Sequence, residues 1–100
     1  MNPQLQLDSD ALAGFCHKWR IRELSLFGSA LRDDFGPNSD LDFLVSFEPG
    51  AGWDLWDLVT MRDELMDIVG REVDIVIKEA LRNPYRRQEI LANREVIHAA

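Results

Sequence analysis

From Asp8 to Arg20 the chain places Leu12, Phe15, Cys16 and Trp19 at the i, i+3, i+4, i+7 spacing of one helical face, with Asp8 or Ser9 in the capping position. That spacing predicts a first helix, which Gly14 weakens without ending. Ile21 to Phe27 alternates apolar and polar residues as a strand does, and Gly28-Ser29 then punctuates the chain before a short helical turn over Ala30 to Asp33. The run Asp33 to Ser39 has the chemistry of a turn, and Asp40 to Phe47 reads as a second strand that stops at Glu48-Pro49-Gly50. Trp53 to Val69 carries Leu55, Leu58, Val59, Leu65, Met66 and Val69 on one stripe, with Gly70 placed as a C-terminal cap. This is the longest predicted helix. Arg71 to Lys78 is dense in β-branched residues and reads as a third strand. Asn83-Pro84 supplies a cap followed by proline at the first helical position, which predicts a last helix running to about His98 with Tyr85, Ile90, Leu91 and Val96 turned inward.

The resulting order, α-β-α-β-α-β-α, implies an α/β (α+β) fold in which a small mixed sheet is flanked by helices. At 100 residues one domain over 1–100 is expected, with no second catalytic domain. Apolar residues make up 46% and charged residues 29%, enough to bury a core without metal or disulfide staples. The lone cysteine, Cys16, cannot form an internal disulfide, and no signal-like segment opens the chain, so a cytoplasmic location is expected. The longest stretch free of Asp, Glu, Lys and Arg is the eight residues Leu24 to Leu31, so no membrane span is expected. A net charge of -7 argues against direct nucleic-acid binding through a basic face. Residues 81–100 are net positive, at +2, which leaves -9 on the first eighty.

The chemistry concentrates in Gly28 to Asp42. Asp is depleted in strands, yet Asp40 and Asp42 open an apolar strand, and its period of two places both carboxylates on one face. Such anions raise each other's pKa unless a cation lies between them, and oxygen-only ligands point to a hard divalent ion such as Mg²⁺. Asp74 repeats the anomaly inside Val73 to Ile77. Three strand carboxylates could hold two metal ions, the arrangement that serves in-line displacement at phosphorus. Gly28 allows close approach of an anion, the Ser29 hydroxyl and neighbouring amides form a phosphate cradle, and Arg32 lies one turn further on to brace a leaving pyrophosphate. Singly, each residue has a plainer reading: Asp40 as a turn residue, Asp42 and Asp74 as charges that protect a sheet edge. The joint spacing, Gly-Ser followed after ten residues by Asp-x-Asp, arises by chance in roughly two of a thousand chains of this length.

Gly28-Ser29, Asp40-Leu41-Asp42 and Asp74 together resemble the signature of the DNA polymerase beta-like nucleotidyltransferase superfamily, and in particular its minimal MNT-type members, from about Phe27 to the C-terminus. Leu31 and Asp33 stand where many relatives carry a small residue and a glycine beside the arginine. The resemblance implies a minimal nucleotidyltransferase fold and a Mg²⁺-dependent transferase that moves AMP from ATP to a tyrosine of a HEPN-domain ribonuclease toxin, silencing it within a toxin–antitoxin complex. It implies that Gly28 and Ser29, with Arg32 and Ser39, bind the nucleotide. It implies too that Asp40, Asp42 and Asp74 hold two Mg²⁺ ions, with Asp74 the candidate base for the acceptor hydroxyl. Neutralisation by binding alone, or transfer to a small molecule, are the alternatives.

Other positions read more plainly. Trp53 and Trp56 are core or partner surface, with base stacking the less frequent role, and His17 and His98 lack metal-ligand spacing. Arg82, Arg86 and Arg87 form either a solvated helix face or a partner contact, and Tyr85 reads as a core anchor.

Overall fold

The computed structural model describes residues 7–28 and 40–99. Helix α1 (Ser9–Lys18) leads into strand β1 (Ile21–Phe27). Strand β2 (Leu41–Phe47), helix α2 (Leu55–Val69) and strand β3 (Val73–Ile77) follow. A short 3₁₀ turn (Lys78–Ala80), helix α3 (Pro84–Ala92) and strand β4 (Glu95–Ala99) complete the described chain. The expected turn over Ala30 to Asp33 lies outside the described residues.

Capping sets the helix ends. Asp8 accepts hydrogen bonds from the Asp10 and Ala11 amides at 3.1 Å, starting α1 where its carboxylate satisfies otherwise orphaned donors. Asp54 and Asp57 exchange side chain to backbone bonds at 2.8 and 3.1 Å in a capping box that starts α2. At the far end of α2, Gly70 takes the left-handed conformation (φ 74°) that a C-terminal cap requires. Asn83 caps α3 through the Tyr85 and Arg86 amides, with Pro84 next to it where a missing N–H costs nothing.

The four strands lie in the order β3-β2-β1-β4; β2 and β3 are parallel, and β1 is antiparallel to both β2 and β4. One face of this mixed sheet carries Leu24, Leu26, Leu41, Phe43, Val45 and Val73, which pack against Leu12, Phe15 and Cys16 of α1 and Met61 and Leu65 of α2. Among the described residues no helix is long and apolar enough to cross a membrane.

Three expectations need correction. The last helix stops at Ala92, and Glu95–Ala99 is a strand paired with β1. Asn93 leaves helical geometry, and the β-branched pair Val96-Ile97 covers an edge of β1 that would otherwise expose its backbone donors and acceptors. Tyr85 (84% exposed) and Val96 (45%) face outward, leaving Ile90 as the buried residue of α3. In α2, Leu55 and Val59 are exposed and the inward stripe centres on Met61 and Leu65. Leu55 is the first residue of the helix, with no preceding turn to pack beneath it.

Candidate active site

The face of the sheet opposite α1 and α2 ends in a row of three residues in register: Phe27 on β1, Asp42 on β2 and Asp74 on β3. Residues in register on adjacent strands put their side chains on the same face. The topology thus brings together two carboxylates that lie 32 positions apart in sequence. Asp42 is half-buried and Asp74 exposed, while Asp40 sits exposed just before β2. The parallel pairing of β2 with β3 sets this arrangement, and Leu41 and Val73, each one position earlier, anchor it by packing into the core on the other face.

Gly28 closes β1 beside Asp42. Its φ of 71° lies in the left-handed region, and a Cβ built there would collide with the Asp42 carboxylate. Glycine is therefore required twice, once by the backbone and once by the side chain next to it. Ser29, Arg32 and Ser39 lie outside the described residues.

A cleft of about 760 Å³ opens over this end of the sheet. Phe27, Gly28 and Asp42 line one side, and α3 with the residues after it lines the other through Arg86, Glu89, Ile90, Asn93 and Arg94. Positions 86, 89, 90 and 93 are one helical stripe, so α3 presents a single mixed polar and apolar face to the cleft. The 86, 89, 90, 93 spacing was visible in the sequence, but nothing local to it says which way the helix would face. The helix is held from both ends. Arg87 Nη1 donates to the Lys78 carbonyl at 2.8 Å, and Arg94 forms a half-buried ion pair with Glu23 of β1.

Among the described residues, no three Asp, Glu, His or Cys side chains are gathered as a ready metal cage. The Asp42–Asp74 pair is an oxygen-only donor set, which suits a hard cation, and the bare Gly28 lets the Asp42 carboxylate pack against the backbone at the end of β1. The two histidines stay apart from it, His17 on α1 and His98 on β4. Trp53 is structural: its Nε1 donates to the Trp19 carbonyl at 2.8 Å and its ring meets Trp19 edge-on at 5.1 Å. Trp56 is 76% exposed.

The family model described as a nucleotidyltransferase domain matches residues 9–97. A Methanocaldococcus jannaschii protein with a provisional protein adenylyltransferase name is 36% identical over 73% of this chain and 72% of its own length. The protein adenylyltransferase MntA of Thermococcus cleftensis is 30% identical over 81% of this chain and 77% of its own. Among solved structures, a provisionally assigned minimal nucleotidyltransferase superposes with a TM-score of 0.71 at 31% identity, covering 87% of this chain and 86% of that one. Two more distant structures share the fold. One is a toxin–antitoxin complex with AMP-PNP, with a TM-score of 0.75 at 17% identity and coverage of 94% and 75%. The other is a complex of a tri-AMPylated Shewanella oneidensis HEPN toxin with an MNT antitoxin, with a TM-score of 0.66 at 14% identity and coverage of 92% and 70%. The family match over residues 9–97, the identity to the adenylyltransferase relatives and the superposition agree, and the chain belongs to the nucleotidyltransferase domain family with the minimal nucleotidyltransferase fold.

Proposed function

We propose that this chain is an antitoxin that transfers AMP from ATP to a tyrosine hydroxyl of a HEPN ribonuclease partner and thereby neutralises it. The observation that carries the reading is the Asp42–Asp74 pair in register beside Gly28, with Asp42 and Gly28 lining a cleft of about 760 Å³. Support comes from the adenylyltransferase names of the relatives and from the AMPylated HEPN toxin found with an MNT antitoxin of the same fold.

Asp40, Asp42 and Asp74 would hold two Mg²⁺ ions, which when bound supply charge neutralisation at the α-phosphate and the departing pyrophosphate. Gly28, with Ser29, Arg32 and Ser39, receives the phosphates; the bare Gly28 backbone lets them come close. In the transfer itself the tyrosine oxygen forms a bond to the α-phosphorus, the bond to pyrophosphate breaks, and the hydroxyl proton passes to a carboxylate oxygen. Asp74 serves that last role: it is exposed, on the outer strand, and reachable by a group delivered from a partner protein.

The test incubates the chain with its HEPN partner, ATP and Mg²⁺ and follows the mass of the partner, which should rise by ~329 Da per AMP as pyrophosphate is lost. The Asp40→Asn/Asp42→Asn double variant should bind the partner, leave its mass unchanged and leave its ribonuclease activity intact. If that variant silences the partner as well as the wild type does, neutralisation is by contact and the transfer reading fails.

A further inference from the structure

Among the described residues, two arginines line the cleft, and of these Arg94 is in an ion pair, with Glu23. The neighbouring Arg87, outside the cleft, is tied to the Lys78 carbonyl. Arg86 points into the cleft from the first turn of α3 and makes no side-chain hydrogen bond or ion pair with any described residue. The opposite wall is Asp42, with Asp74 beside it. The anchors on either side, the Asn83 cap before it and the Arg87 bond and buried Ile90 after it, fix which face α3 turns inward.

We infer that Arg86 is a phosphate-binding residue of this cleft, pairing its guanidinium with oxygens at the far end of the nucleotide's triphosphate and so holding the portion that leaves as pyrophosphate. This rests on the function proposed above and adds to it a contact from α3, outside the Gly-Ser segment. The physical argument is charge. A triphosphate brings several negative charges to a wall that already carries carboxylates, and cations bound by those carboxylates neutralise only the oxygens they touch. A guanidinium fixed on the facing helix offers paired donors in the geometry that phosphate oxygens accept. Among the described residues no ion pair of Arg86 has to break for it to do so.

The test is calorimetric titration of the whole chain with Mg²⁺ and three probes: AMP-PNP, AMP and inorganic tripolyphosphate. Arg86→Gln should weaken AMP-PNP and tripolyphosphate by about tenfold or more, the effect of losing charge-assisted hydrogen bonds, and change AMP little. Arg82→Gln, which removes the same charge from an exposed position outside the cleft, should leave all three near wild type. The melting temperature of Arg86→Gln should match the wild type. Undiminished AMP-PNP affinity in Arg86→Gln, with the wild type binding normally, overturns the inference and leaves the transferase reading standing. Equal losses for AMP and AMP-PNP together with a lowered melting temperature overturn it in favour of a structural arginine. Arg86-dependent binding of tripolyphosphate, with no preference for AMP-PNP over it, upholds the phosphate site and counts against the nucleotide reading. A wild type that binds none of the probes overturns both.

Discussion

At the scale of single residues, Gly28 and Asp42 constrain each other directly. A methyl group at position 28 would meet the Asp42 carboxylate, and the backbone there is already in a region that disfavours side chains. Gly28→Ala should therefore displace the Asp42 side chain before it disturbs the sheet, because the obstruction is a side chain at the end of β2 rather than its backbone. The expected outcome is a folded protein, about 1–2 kcal/mol less stable from the left-handed strain, that has lost AMP-PNP binding and transfer. Thermal unfolding and titration on the same preparation check both halves. Retained nucleotide affinity in this variant would show that the space beside Asp42 is not where the phosphates lie.

At the scale of elements, the helices are set by their caps and the strands by their neighbours. The capping box of α2 joins Asp54 and Asp57 reciprocally, so each satisfies an amide that the first turn leaves without a partner. Asp54→Ala should cost about 1 kcal/mol and fray the first turn of α2, where the exposed Leu55 and Trp56 lie. Urea unfolding measures the loss, and hydrogen exchange should localise it to the amides of the first turn, with β2 and β3 unaffected. Strand β4 obeys a different logic. Val96, Ile97 and the ion pair of Arg94 with Glu23 are satisfied only against β1, so its conformation depends on a strand some seventy positions away.

At the scale of the whole molecule, Cys16 reports on the core. It is fully buried between α1 and the sheet, and that burial pushes its thiol up from 9.0 to about 12 because the thiolate would lose its hydration. The unfolded chain releases this proton near pH 9 and the folded chain retains it to about 12, so between those values the unfolded state binds fewer protons and stability falls as pH rises. The slope contributed by this one group approaches about 1.4 kcal/mol per pH unit between the two values and fades to nothing well below pH 9. Melting curves from pH 7 to 11 should show the decline, and Cys16→Ala should flatten it relative to wild type whatever its cost at pH 7. Alkylation of the native protein should likewise be negligible until it unfolds.

What the sequence determined by itself is everything governed by a few neighbouring residues. Asp8, Asn83 and Gly70 act as caps through bonds and backbone angles within one turn, and the strand Ile21–Phe27 was legible from its own alternation and its flanking turns. The acidic positions Asp42 and Asp74 stood out for the same reason, as charges where local preference forbids them. The tertiary structure decided the rest. A helical continuation through Val96 satisfied local spacing, yet the open edge of β1 took those residues as a strand, because backbone groups at a sheet edge gain partners that a lone helical turn cannot offer. Tyr85 and Leu55 carry the apolar surface of core residues, but the orientation of α3 and the start of α2 leave them in water. The adjacency of Asp42 to Asp74, and the placing of Arg86 across the cleft from Asp42, follow from strand register and helix docking. Register and docking are settled by which apolar faces bury one another, a property of the assembled layers that no short stretch of chain contains.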